Sequence, residues 1–258
     1  MPHLTVDGAE LFYRVYGSGP AIIFAHGLGG THMSWWQQVP ALLDRFTCVT
    51  FSHRGFHPSS GAADPSHYAA DLAALVGHLG LDDVRLVAQS MGGWTCMEYA
   101  IAHPTRVSAI VMAETTGTLA TGLSSAPAQA RIEQHFERGI HPAAGERMAR
   151  EQPALHHLYR LIDELSASVD KPDLMSRLAA LRTRAPSEFS ALNIPVLWLF
   201  GEESYIGPEV STWVETTFPD HRLARVPQSG HSIYFERPET FNRLIAEFLG
   251  HPQLVADA

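Results

Sequence analysis

The sequence predicts an α/β domain with a mostly parallel, eight-stranded sheet, helices on both of its faces, and a helical block inserted after the sixth strand. Three observations carry this. Short continuous apolar runs, the kind that suit strands buried on both faces, recur at residues 21–25, 46–51, 84–88 and 107–113. Stretches with helical spacing separate them, and strands alternating with helices imply parallel pairing with both faces covered. From residue 117 to 191 the alternation stops, helical periodicity continues without a strand candidate, and the strand pattern then resumes.

The chain opens with two weakly alternating runs, Leu4 and Val6, then Leu11, Tyr13 and Val15, around Asp7-Gly8, which reads as an antiparallel hairpin. Gly17-Ser18-Gly19-Pro20 leads into the third strand at 21–25. Helical spacing follows at 35–43, the fourth strand at 46–51, a helix at 68–79, the fifth strand at 84–88, a helix at 91–102 and the sixth strand at 107–113. Within the insertion, helices are expected at 128–136, 155–165 and 174–181. Beyond it come a strand at 194–200, a helix near 208–216, a strand at 223–226 and a last helix at 238–249. One core domain, residues 1–116 and 192–258, thus carries a helical insertion over 117–191.

A chain of 258 residues, 45% hydrophobic, buries a sizeable core and suits a single catalytic domain. Its 18 basic and 27 acidic residues leave a formal charge of -9, which repels phosphate backbones and anionic lipid, so neither nucleic acid nor membrane is an expected partner. Cys48 and Cys96 form no C-x-x-C pair and no disulfide framework. The opening MPHLTVDGAEL lacks the basic and apolar stretches of a signal peptide, and no apolar segment approaches the roughly 18 residues of a membrane span. A soluble, cytoplasmic protein is the expectation.

The strongest chemical signal is Val87-Ala88-Gln89-Ser90-Met91-Gly92-Gly93, where an apolar strand runs into a serine between small residues and then into a helix. Such a turn holds a serine in a strained backbone conformation with its hydroxyl exposed, and the positions two before and two after must be small. Gly92 meets that need fully, and Ala88 departs from the usual glycine by one methyl group. A plain helix-capping serine is the simpler alternative, but strand, serine, two glycines and helix together favour a nucleophile.

A second signal, Phe24-Ala25-His26-Gly27-Leu28-Gly29-Gly30, follows the third strand. A glycine-rich turn there lets backbone N–H groups converge on an oxyanion, and those of Leu28 and Met91 are the expected pair. His26 reads as a structural brace. A dinucleotide fingerprint fails, because His32 stands where the third glycine belongs. The third signal is Pro227-Gln228-Ser229-Gly230-His231-Ser232, after the last strand, which places His231 as general base. No metal site is expected, since His53 and His57 lack a companion cluster of carboxylates or cysteines, and no cofactor is required.

The His26-Gly27 loop, the His53-Arg54-Gly55 segment, the Ser90 turn and Gly230-His231 before Glu236-Arg237-Pro238 together resemble the α/β-hydrolase family over nearly the whole chain. The resemblance implies a serine, acid and histidine triad with a helical cap over it. The family's acid often closes a G-x-x-D motif after the seventh strand, where this sequence has Gly201-Glu202-Glu203-Ser204. Some relatives carry it after the sixth strand instead, and there stands Glu114, the first choice for the acid, with Glu203 and Glu202 as alternatives. Trp35, Trp36 and Trp94 are candidate walls of an apolar substrate pocket. The expected function is hydrolysis of a small, apolar ester, lactone or related carbonyl compound through an acyl-enzyme. A small-molecule receptor on the same scaffold is the alternative from another class, and C–C bond hydrolysis or cofactor-free oxygenation are alternatives within the fold.

Overall fold

The computed structural model describes residues 2–250. The predicted core segment runs to residue 258, and 251–258, with residue 1, lie outside the described residues. Eight strands form one sheet: β1 (His3–Val6), β2 (Ala9–Tyr16), β3 (Ala21–Ala25), β4 (Thr47–Phe51), β5 (Val84–Gln89), β6 (Val107–Ala113), β7 (Val196–Gly201) and β8 (Arg222–Val226). Their spatial order is β1-β2-β4-β3-β5-β6-β7-β8. β1 with β2 and β2 with β4 pair antiparallel, and every other pairing is parallel. The register sets Ala25 beside Ala88, Gln89 beside Ala113 and Gly201 beside Val226, so the carboxyl ends of β3, β5, β6, β7 and β8 open on one edge. That edge is where open α/β sheets place their ligands.

Successive side chains of each central strand feed opposite faces. Leu86 and Ala88 join one core cluster with Leu72, Leu75 and Met97, while Val87 joins the other with Phe24, Phe241 and Phe248. The helices behind these residues are α1 (Val39–Leu42), α2 (Tyr68–His78) and α3 (Gly92–Ala102). Between β6 and β7 come α4 (Ala126–Glu137), α5 (Glu146–Glu151), α6 (Pro153–Glu164), α7 (Lys171–Ala180) and α8 (Pro186–Ser190), and the chain continues through α9 (Pro208–Thr217), α10 (Ile233–Glu236) and α11 (Pro238–Gly250).

Three elements differ from the sequence reading. The single helix expected at 35–43 is a 3-10 turn, His32–Trp35, followed by the short α1. Pro40 explains the break, because it has no N–H to bond back along a helix begun at Trp35. Helices α5, α8 and α10 span 6, 5 and 4 residues, too few to show a period. Leu119 and Arg184 form an isolated parallel bridge that ties the two ends of the inserted segment together, where no strand is predicted. Among the described residues no helix is long and apolar enough to cross a membrane.

Candidate active site

Ser90 sits in the turn between β5 and α3 with φ of 49°, a left-handed conformation that costs a non-glycine residue on the order of 1 kcal/mol or more. Its N–H donates to the Ala113 carbonyl at 3.0 Å and its carbonyl accepts from Gly93 N–H at 2.8 Å, so the neighbouring strand and the helix hold the turn from both sides. A Cβ at Gly92 would lie 2.2 Å from the Ala25 carbonyl oxygen, which is why that position needs glycine. Ala88, the departure from the usual pattern, packs its methyl into the core without exposure.

His231 lies on the loop between β8 and α10 and is 3% exposed. Its carbonyl accepts from Gln89 Nε2 at 3.1 Å, which couples the histidine loop to the residue before Ser90. On the ring, Nδ1 lies 3.3 Å from Glu114 Oε2. Glu114 follows β6 and is fully buried with φ of 55°. Its Oε1 accepts from the Gly201 N–H, and its Oε2 accepts from Ser204 Oγ at 2.6 Å. Ser204 Oγ is also 3.4 Å from His231 Nδ1. The hydroxyl at the end of β7 thus leans on the carboxylate that comes from β6, and both face the same imidazole nitrogen.

With the Nδ1 hydrogen directed at the carboxylate, Nε2 presents its lone pair to the site. Tyr205 Oη stands 3.0 Å from that nitrogen, with its ring tilted over the imidazole at a centroid distance of 4.2 Å. Loss of solvent around the phenol hydroxyl, and next the charge of Glu114, push Tyr205 above the ordinary tyrosine range, while Ser90 and Arg182 pull the other way. The phenol is therefore neutral at physiological pH.

The turn after β3 approaches the nucleophile closely: a Cβ at Gly27 would lie 3.1 Å from Ser90 Cβ and nearer still to Gln89 Oε1. Among the described residues, neither Leu28 N–H nor Met91 N–H is engaged by a backbone acceptor. His26 braces this turn. Its Nδ1 donates to the Gly27 carbonyl at 2.8 Å and its Nε2 accepts from His53 N–H at 3.0 Å. Burial holds His26 near a pKa of about 4, so it is neutral and its two ring nitrogens keep these separate roles.

The alternative acids lie elsewhere. Glu202 is exposed, and the Glu203 carboxylate turns toward Gly145 and Glu236, with its Oε2 buried and unpartnered. The backbone explains this, because Glu203 N–H bonds to the Ser229 carbonyl and thereby points the side chain away from His231. Glu236 accepts from Gly230 N–H at 3.0 Å and Gly145 N–H at 3.1 Å, joining the histidine loop to the inserted segment. Burial pushes its carboxyl up to about 8 despite these donors.

The three tryptophans divide. Trp94 follows Ser90 by one helical turn, and its Nε1 donates to the Leu178 carbonyl at 2.8 Å. It belongs to a cluster in which Phe56, Met91, Leu174 and Leu178 pack with Leu28, so α7 lies over the Ser90 turn and the Leu28 turn together. Trp35 is instead core, wholly buried against Phe24 and Tyr234, and Trp36 is 47% exposed beside Phe235. Both line a separate cleft of 370 Å³ with Met33, Leu158 and Ile162, and neither Ser90 nor His231 is among its lining residues. The 3-10 turn causes this, by turning Trp35 down onto β3 and Trp36 out to the surface. Among the described residues no group of three metal-ligating side chains forms. Sequence reasoning missed Tyr205, Gln89 and Glu236. Tyr205 adjoins the Gly201-Glu202-Glu203-Ser204 run that drew attention, but only the folded loop turns its hydroxyl to His231.

A sheet of this order, with a serine turn, a histidine loop and a buried carboxylate on one edge, defines an α/β hydrolase architecture. The chain belongs to the alpha/beta hydrolase fold family, whose model matches residues 20–193. It is similar to haloalkane dehalogenase 2 of Mycobacterium tuberculosis, at 28% identity over 93% of this chain and 92% of the relative. Among solved structures, a thermophilic esterase from Thermogutta terrifontis superposes with a TM-score of 0.78 at 24% identity, covering 96% of this chain and 98% of the other. An enol-lactonase from Burkholderia xenovorans superposes with a TM-score of 0.76 at 22% identity, over 96% and 100%. The structural likenesses show the fold. The family and the curated relative support a hydrolase of this fold.

Proposed function

We propose that this protein is a serine hydrolase that cleaves a small ester, lactone or related carbonyl substrate through an acyl-enzyme. Ser90 attacks the carbonyl carbon, His231 is the base that takes up its proton, and Glu114 holds the imidazole and stabilises the imidazolium. The N–H groups of Leu28 and Met91 receive the developing oxyanion. Water then releases the acyl group with His231 as base again. The observation that carries this reading is the placement of Glu114 Oε2 3.3 Å from His231 Nδ1, because a buried carboxylate on that nitrogen orients the other toward the nucleophile turn. A serine at position 90 also separates this chain from hydrolases of the fold that attack with an aspartate. Residues 117–191 act as the cap, and the Trp94, Leu174 and Leu178 cluster supports an apolar substrate.

The test is covalent labelling with a fluorophosphonate followed by peptide mass spectrometry. Stoichiometric modification of Ser90, lost in Ser90→Ala, is the expected result. An unlabelled, folded protein would overturn the nucleophile and favour a receptor for a small apolar ligand. A panel of short acyl esters and lactones, read by product release, then narrows the substrate.

A further inference from the structure

We infer that Arg182 is an anion-binding wall of the Ser90 site, and that the substrate is a carbonyl compound with an apolar body and a free carboxylate at its far end; this rests on the serine-hydrolase reading above. Three arginines stand on the stretch that leads from α7 into α8. Arg177 pairs with Asp64 and Asp173, and Arg184 pairs with Glu98 and Glu188. Arg182, between them, has no carboxylate partner and no side-chain hydrogen bond among the described residues. Its guanidinium carbon lies instead 5.0 Å from the centre of the Trp94 ring. Both partners are set by the end of α7: Trp94 Nε1 donates to the Leu178 carbonyl at 2.8 Å, and Arg182 N–H donates to the Ala179 carbonyl at 3.2 Å.

Trp94 ties this cation to the reaction centre, because its ring packs in one cluster with Met91 and Leu28, the residues whose N–H groups receive the oxyanion in the proposed reaction. On the histidine side, Tyr205 Oη stands 3.0 Å from His231 Nε2, and the phenol and the guanidinium act on each other electrostatically. The Arg182 side chain is exposed, yet protein crowds the guanidinium enough that loss of solvent is the chief influence on it and lowers its pKa. That combination describes a charge on the wall of a recess, reachable by a ligand and poorly served by water. A guanidinium stays protonated there. Attraction to the ring face spends none of its N–H donors, and its planar fork matches a carboxylate with two parallel bonds. Leu174 and Leu178 supply apolar surface beside it for the rest of the molecule. With a formal charge of -9 the chain as a whole repels anions, so an unpaired cation at this place supplies a selection that the long-range field does not.

The experiment uses a matched pair of substrates, mono-p-nitrophenyl adipate and methyl p-nitrophenyl adipate, which differ in the charge at the far end. In wild type the acid should have the higher kcat/KM, by about tenfold or more, and Arg182→Gln should bring the two within about twofold by raising KM for the acid. Arg182→Lys should keep part of the preference, and added salt should shrink it in wild type without any substitution. Equal rates in wild type, a preference for the methyl ester, or a preference that Arg182→Gln leaves intact overturns the carboxylate site. Binding is read without turnover by calorimetric titration of monomethyl adipate into Ser90→Ala, with and without Arg182→Gln. The Kd should weaken by about tenfold or more when the guanidinium is gone. Equal binding by both proteins, or none to Ser90→Ala at millimolar ligand, sinks the proposal whatever the nucleophile is. Binding that depends on Arg182 in a protein whose Ser90 resists fluorophosphonate would overturn the serine reading alone.

Discussion

In the proposed triad the acid, Glu114, comes from the end of β6 rather than the end of β7. The usual site at the end of β7 holds Ser204, whose hydroxyl donates to Glu114 Oε2 at 2.6 Å, so the carboxylate from β6 fills the place that the shorter side chain leaves. Glu114→Gln keeps the shape but presents an amide to His231 Nδ1, which favours the wrong tautomer. We expect kcat to fall by about three to four orders of magnitude with little change in melting temperature. Glu202→Gln and Glu203→Gln should be mild, since neither carboxylate faces the imidazole. A crippled Glu203→Gln beside a near-normal Glu114→Gln would place the acid after β7. Because Ser204 Oγ is already 3.4 Å from Nδ1, Ser204→Asp should partly restore Glu114→Gln. His231→Ala should cost at least about a thousandfold in kcat, and a loss below about tenfold would point to another base.

The strand, turn and helix that carry Ser90 depend on how closely β5 and α3 approach their neighbours. Gly92 faces the β3 carbonyls with no room for a methyl group, and the offending atom is backbone, which cannot rotate away. Gly92→Ala should therefore destabilise the fold by about 1–3 kcal/mol and lower activity together, as measured by denaturant unfolding and turnover. Gly77, near the end of α2, is the contrasting case, with nothing within 4 Å of an added Cβ and no left-handed φ. Gly77→Ala should leave activity intact and raise stability by about 0.5–1 kcal/mol. If both substitutions behaved alike, close packing would not be what keeps Gly92. The same elements show which structure was legible from pattern. Runs of apolar residues marked the central strands, and period marked the longer helices. Pieces of four to six residues, such as α5 and α10, are held by tertiary contacts and leave no periodic trace.

At the scale of the whole molecule, opposing titrations shape stability against pH. His26 and His32 are held near a pKa of about 4, and His53 well below its ordinary value, chiefly by burial. The unfolded chain protonates these histidines near 6.5 while the folded chain resists, so their contribution is full above 6.5 and is lost as pH falls toward 4. Glu236 runs the other way. Its carboxyl is raised from 4.5 to about 8, so the folded protein holds its proton longer and stability declines as pH rises through that interval. His156 and His221, lowered by burial as well, act in the same direction, so the histidines outweigh Glu236 on the acid side, and Glu236 opposes them as pH rises toward 8. Thermal unfolding across pH should show a maximum near 6.5, and Glu236→Gln should flatten the alkaline limb. A profile that keeps rising to pH 8 in wild type would contradict the buried, protonated Glu236.

Local pattern determined the alternation of strands and helices, the place of the insertion, the turn that bears Ser90 and the loop that bears His231. Each of these is written in consecutive residues, as apolar runs, glycines at fixed offsets and chain order. Tertiary structure decided what depends on residues distant in sequence. It set Glu114 rather than Glu203 beside His231, turned Trp35 into the core and Trp36 to the surface while Trp94 met the inserted helices, and brought Tyr205 against His231. Hydrogen-bond partners more than twenty residues apart are chosen by strand register and loop direction, and no local period encodes them.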